Sequence, residues 1–205
     1  MQALISPNYP PEKLQNPSIE DLVDVLEDRL KFWLLEPAKE LASHQYGQIA
    51  GLALLLTYFE GVWSYIQGQD SRGKSGAFFK DSFVDTFRPC GLAPELLRRI
   101  ATVLFEDARC GFFHDGLFRH RIFFGKVEGG CLSVTLPYTN GVLDEAGEIQ
   151  SIVVDVEGVY KYVEGHLGKF LSLLRDSSQE ELRARFKAFC QQKWDYGGHP
   201  VPIAL

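Results

Sequence analysis

The sequence is poor in patterned cysteine. Its four cysteines stand far apart, at positions 90, 110, 131 and 190, and no C-x-x-C occurs. A zinc knuckle or a dense disulfide framework needs closer and more regular spacing, so reduced thiols are expected, with no metal site and no cofactor. Long apolar runs are missing too. A bilayer span needs about 20 such residues, whereas the longest run here, Ala50 to Phe59, is interrupted by Gly51 and Thr57 and ends on Glu60. The opening segment MQALISPNYPPEKLQNPS has neither the basic start nor the apolar stretch of a secretory signal. These absences predict a cytosolic protein with no membrane partner. Internal repeats and low-complexity tracts are lacking as well. So is an excess of basic residues: the net charge of −6 argues against general coating of nucleic acid.

What is present suits one folded domain. A chain of 205 residues, 45% hydrophobic and 23% charged, can bury a real core. Its charge is uneven. Arg98 to Lys126 holds six Lys/Arg against three Asp/Glu, and Thr139 to Gly165 holds six acids against one lysine. A polyanion is therefore expected near the first stretch.

Residues 1–17, with four prolines, read as an extended arm. Ser18 then caps a helix, with Glu20 and Asp21 in its first turn, and Pro37 should end it. A second, more apolar helix is predicted from His44 to Ile66. Gly68 to Gly76 is a polar, glycine-rich link. Phe78, Phe79, Phe83, Val84 and Phe87 recur at helical spacing until Pro89 and Gly91. Leu97, Ile100, Val103, Leu104 and Ala108 form the stripe of a further amphipathic helix that leads into Arg109. After Gly116 the pattern changes. Arg121–Lys126 and Cys131–Pro137 read as strands, joined as a hairpin through Gly129 and Gly130, and Ile149–Val156 as a third. Two helices follow, Val159 to Leu174 and Ser178 to Trp194, the last with Ser178 and Glu181 at capping-box spacing. The expected fold is mainly α, a helical bundle with a small C-terminal β-meander and terminal helices.

The segment E-D-A-R-C-G-F-F-H-D-G, Glu106 to Gly116, carries the sharpest functional signal. Arg109 and His114 lie five positions apart near the end of a helix. That spacing, preceded by an apolar helix bearing Glu60, a glycine-rich link and a Phe-rich helix, resembles the Arg-x4-His type of the HEPN family. The match covers about Gln45 to Phe118. The resemblance implies a HEPN-like core over residues 18–118, with residues 119–205 packed on it. It further implies metal-independent RNA cleavage at the two-fold interface of a homodimer.

The chemistry suits the two side chains. Attack of a ribose 2′-hydroxyl on the adjacent phosphate needs a proton acceptor that titrates near neutrality, which histidine supplies. A guanidinium can hold two oxygens of the resulting phosphorane. On an ideal helix five residues turn about 500°, leaving the two side chains about 140° apart. Convergence therefore requires the helix to end near Gly111, or a second subunit to complete the site.

Around the pair, Glu60 either orients Arg109 across the helix pair or is a surface carboxylate at the end of its apolar stripe, and Cys110 and Asp115 are supporting candidates. Arg119, His120 and Arg121 are candidate RNA contacts or, on a plainer reading, solvated charges at an exposed strand start, and Phe112 or Phe113 are candidate dimer contacts. A plainer reading has Arg109 paired with Glu106 or Asp107 and His114 capping a helix end. The family often carries Asn after the arginine, and a thiol at Cys110 cannot reproduce that amide. This departure favours a second hypothesis, a catalytically silent interaction module with a regulatory protein partner. A third rests on Gly68 to Ser75, which matches the P-loop pattern G-x-x-x-x-G-K-[ST], with Ser151–Asp155 in the place of a second nucleotide motif. A true P-loop needs a strand before it, whereas the sequence there keeps helical spacing.

Overall fold

The computed structural model describes residues 4–139 and 141–194. Its first long helix starts at Ser18, whose hydroxyl accepts from the Asp21 amide while the Asp21 carboxylate accepts from the Ser18 amide at 2.9 Å. This reciprocal cap satisfies amides that have no partner within the helix and opens α1 (Ile19–Arg29). The helix does not stop before Pro37. It passes through a π-helical segment, Leu30–Leu35, into α2 (Glu36–Ser43). In an α-helix the proline ring would collide with the carbonyl four residues back. The wider turn, in which the Glu36 amide reaches the Lys31 carbonyl, changes that register and admits Pro37.

Residues 4–17 do not form an extended arm. Asn8 donates its backbone and side-chain N–H groups to the Asp28 carboxylate at 2.9 and 2.6 Å. Arg29 donates to the Ile5 carbonyl at 2.7 Å, and a 3-10 turn, Pro11–Leu14, buries Leu14. Asp28 is itself buried, and a buried carboxylate requires donors; the arm folds back to supply them.

The central helix is α3 (Gln48–Gln67), packed against α2 and the later α4 (Ser75–Phe87), α7 (Val156–Arg175) and α8 (Glu180–Trp194). Among the described residues it alone has the length and apolarity of a membrane span, and half of that apolar window is buried inside the protein. At Gly51 a Cβ would lie 3.0 Å from the Ala38 carbonyl oxygen, so the absent side chain permits the close approach of α2. Gly68, with φ 64°, ends α3 in the left-handed region. The Phe stripe of α4 then covers Phe59, whose ring centroid lies 5.3 Å from Phe79 and 5.2 Å from Phe83. Next, α5 (Pro94–Val103) runs through a second π-helical segment, Leu104–Cys110, into α6 (Gly111–Asp115).

The strands do not form a meander. In the three-stranded sheet the order is β1 (Ile122–Phe124), β5 (Ser151–Val154), β2 (Leu132–Thr135). β5 runs parallel to β1 and antiparallel to β2, so β1 and β2 do not pair and Gly129–Gly130 is no hairpin turn. The most buried strand takes the middle: Ile152 and Val154 are 0% and 1% exposed. β3 (Tyr138–Thr139) and β4 (Val142–Leu143) make a separate ribbon. The final helix begins at Glu180, and Ser178 does not cap it. The Ser178 amide instead donates to Asp176 in the preceding turn.

Between α3, α4 and α7, His166 bridges the Tyr58 hydroxyl (2.7 Å to Nδ1) and the Asp85 carboxylate (3.2 Å to Nε2). Burial pushes its pKa below the ordinary 6.5; Asp85 opposes this and Lys169 adds to it. The unfolded chain takes up a proton at this residue below pH 6.5, while the folded chain resists until lower pH. The stability tied to His166 is thus complete above 6.5 and is lost as pH falls through the lowered value. Urea unfolding at pH 7.5, 6.5, 5.5 and 5.0 should show this decline, and His166→Gln should flatten it. Parallel curves for the two proteins would reject the assignment.

Candidate functional site

The site forms where the end of α3, the loop after Gly68 and the second π-helical segment meet. Glu60 lies two turns before the end of α3, with its side chain 19% exposed. Three groups donate to its carboxylate: Ser71 Oγ at 2.7 Å, Ser75 Oγ at 2.7 Å and Arg109 Nη2 at 2.8 Å. Arg109 belongs to the π-helical segment, a variation that recurs at functional sites. Its guanidinium carbon lies 5.4 Å from the ring centroids of both Phe105 and Phe113. One nitrogen is spent on Glu60, so the fork is oriented and most of its donors stay available.

This cluster forms one wall of a cleft of about 310 Å³, closed opposite by Tyr65 and by Phe189 and Lys193 of α8. Lys193 is ion-paired with Asp70 of the glycine-rich loop. Burial raises the Tyr65 phenol above its ordinary pKa of 10, opposed by the Trp194 indole, which donates to it at 2.8 Å.

Of the residues singled out in the sequence, the structure brings together Glu60 and Arg109. His114 stands apart, exposed in the last turn of α6 ahead of Gly116, and no hydrogen bond or ion pair joins it to Arg109. The helix does not end at Gly111 but runs on to Asp115, so one chain alone does not turn the two side chains onto each other. The structural pairing of Arg109 with Glu106 or Asp107 is not seen either, because Glu60 takes Arg109 and Arg121 takes Asp107.

The candidate RNA contacts divide. Arg119 is exposed, 3.4 Å from the equally exposed Asp115, and His120 is exposed. Arg121 is withdrawn: its Nε meets Asp107 at 2.5 Å, with side-chain exposures of 18% and 4%. That is a structural anchor and leaves little of Arg121 for RNA. The Cys110 thiol is free and half-buried.

The P-loop-like segment lacks its setting. A 20-residue helix leads into it in place of a strand, and the Ser75 hydroxyl donates to Glu60, with no phosphate-binding strand–loop–helix cradle around it. Asp155, the matching acid, accepts from the Gly158 amide as the cap of α7 and lies 3.4 Å from Lys126. Among the described residues no cluster of three metal-binding side chains occurs.

Sequence reasoning missed Ser71, Tyr65, Phe189 and Lys193 as parts of one site. Ser71 had a weak signal, its place in the loop that must pass over the end of α3. Lys193 had none, because its position depends on how α8 packs across the bundle.

No protein-family model matches the chain, and neither a curated protein nor a solved structure does. The functional reading rests on the geometry and on the motif.

Proposed function

We propose that this chain is a HEPN-like, RNA-binding cytoplasmic protein that acts as a homodimer and cleaves RNA without a metal through Arg109 and His114. The observation that carries the reading is the state of Arg109. Its guanidinium is oriented by Glu60, flanked by two phenyl rings and open to a cleft. Such a pre-set cation stabilises charge that develops on a phosphorane without reorganising. His114, exposed and without a partner among the described residues, is free to accept a 2′-hydroxyl proton. Self-association supplies what one chain lacks, the approach of this imidazole to an arginine. Leu117, 64% exposed just beyond His114, offers apolar surface for that contact, while Phe113 lines the cleft.

The test is cleavage of a labelled single-stranded RNA in EDTA by the wild type, Arg109→Ala and His114→Ala. Cleavage by the wild type alone, with 2′,3′-cyclic phosphate ends, is expected, and each substitution should slow it at least about 100-fold. Arg109→Ala mixed with His114→Ala should recover some activity, because a site shared between subunits is intact once in the mixed dimer. Equal cleavage by all three proteins, or none, defeats the reading.

One observation favours the silent interaction module as a second reading. Arg109 already has a carboxylate partner, and Cys110 stands where the family often has Asn. A folded dimer that neither binds nor cuts RNA would establish it.

A further inference from the structure

We propose that the cleft between α3, α8 and the motif helix is a subsite for one unstacked nucleotide of single-stranded RNA, with its base against Phe113 and its phosphate between Arg109 and Lys193. This rests on the RNA reading above and specifies the form of RNA that the site takes.

Size comes first. At about 310 Å³ the cleft lies at the lower end of the range for small-ligand sites. It has room for one nucleotide and none for a duplex. Its lining is of two kinds, and both match the parts of a nucleotide. Aromatic surface comes from Phe113, 57% exposed, over a floor of Phe189 and Tyr65. Bases freed from a strand stack on such rings and on guanidinium planes. Cations come from Arg109 and Lys193, on different elements of the fold, which line the same space.

The acids present hold these cations in place and do not fill the site. Glu60 engages one nitrogen of Arg109, and Asp70 engages Lys193. Arg109 keeps donors for phosphate oxygens, and the lysine can pair with phosphate as a point charge. Near-neutral charge in the cleft fits a site that recognises one nucleotide by shape and hydrogen bonding, in a protein whose net charge is −6. The hydroxyls of Thr57 and Ser64 donate to main-chain carbonyls, at 2.7 and 3.1 Å. Their lone pairs remain to accept from a base edge.

A free mononucleotide offers the same base and phosphate, so the experiment separates the two sources. Binding is measured by anisotropy with a fluorescein-labelled single-stranded RNA hexamer, the same hexamer with one abasic position, and its duplex, with uridine monophosphate as competitor. Metal is chelated, and binding is read before cleavage. Phe113→Ala should weaken hexamer binding roughly 5- to 150-fold, and Phe113→Trp should restore it. Lys193→Ala should weaken binding and lower the slope of log affinity against log salt by about one. The duplex should bind poorly.

Phe113 is exposed, so its replacement should leave the melting temperature unchanged, and that is checked in parallel. If both variants bind the hexamer as the wild type does while Arg109→Ala and His114→Ala still abolish cleavage, the subsite is wrong and the nuclease stands. If the wild type binds no RNA but uridine monophosphate protects it thermally, and Phe113→Ala loses that protection, the cleft takes free nucleotides and the RNA assignment is overturned. If neither ligand binds, both proposals fall.

Discussion

Phe59→Ala should lower the free energy of unfolding by about 3–5 kcal/mol, the range for truncating a fully buried phenylalanine. Phe59 is 0% exposed and meets Phe79, Phe83 and Phe87 at centroid separations between 5.2 and 6.2 Å. Deleting its ring removes transfer free energy and leaves a cavity among three rings that sit on a different helix, which α3 and α4 cannot both collapse to fill. Phe59→Leu should keep most of the stability. Denaturant titrations check this: the midpoint should fall with the slope unchanged. A loss under about 1 kcal/mol would mean that this aromatic cluster is not the centre of the core. Phe59 directly precedes Glu60, so the same cavity should loosen the carboxylate that orients Arg109, and the RNA cleavage proposed for Arg109 should fall along with stability.

Asp107→Ala should cost about 3 kcal/mol, at the lower end of the penalty for breaking a buried ion pair, because Arg121 retains some exposure. The Asp107 side chain is 4% exposed and that of Arg121 18%, and their contact is 2.5 Å. Hydrogen bonding to Asp107 holds the arginine pKa above its ordinary value. Without the aspartate, the guanidinium keeps only Glu148, 3.2 Å away and 86% exposed, a weak partner in high dielectric. Asp107→Leu combined with Arg121→Met should recover much of the loss, since apolar pairs often replace buried ions without penalty. A double-mutant cycle by urea unfolding measures the coupling. A coupling near zero would return Arg121 to the set of candidate RNA contacts. The expected outcome keeps it as the fastening between the motif helix and β1, and Arg121→Ala should then lower stability with little change in the salt dependence of RNA binding.

The candidate site was legible in parts. Glu60 could be paired with Arg109 from the order of helices, because an apolar helix and the motif helix joined by a Phe-rich one must pack side by side. Ser75 was read through the P-loop pattern, which describes composition and not the backbone leading into it. With a helix before the loop, Ser75 and the unforeseen Ser71 donate to a carboxylate. Arg121 looked like a surface charge at the start of a strand. Its burial follows from the insertion of β5 beside β1, which draws that strand under the motif helix. Lys193 is 84 positions beyond Arg109 in number alone, and no local pattern links them.

The sequence by itself determined what depends on neighbours in the chain. Ser18 and Asp21 cap a helix, the Phe spacing from 78 to 87 makes one buried face, and Gly68 ends α3, because caps, side-chain period and left-handed backbone are decided within a few residues. The tertiary structure decided the rest. It set β5 between β1 and β2, carried one helix past Pro37 through a π turn, folded the N-terminal arm onto Asp28, and gathered Glu60, Ser71, Arg109 and Lys193 around one cleft. Those contacts join segments that are far apart in sequence. Which of them form depends on where buried charges find partners and where the most apolar strand finds cover, and both are properties of the whole packed chain.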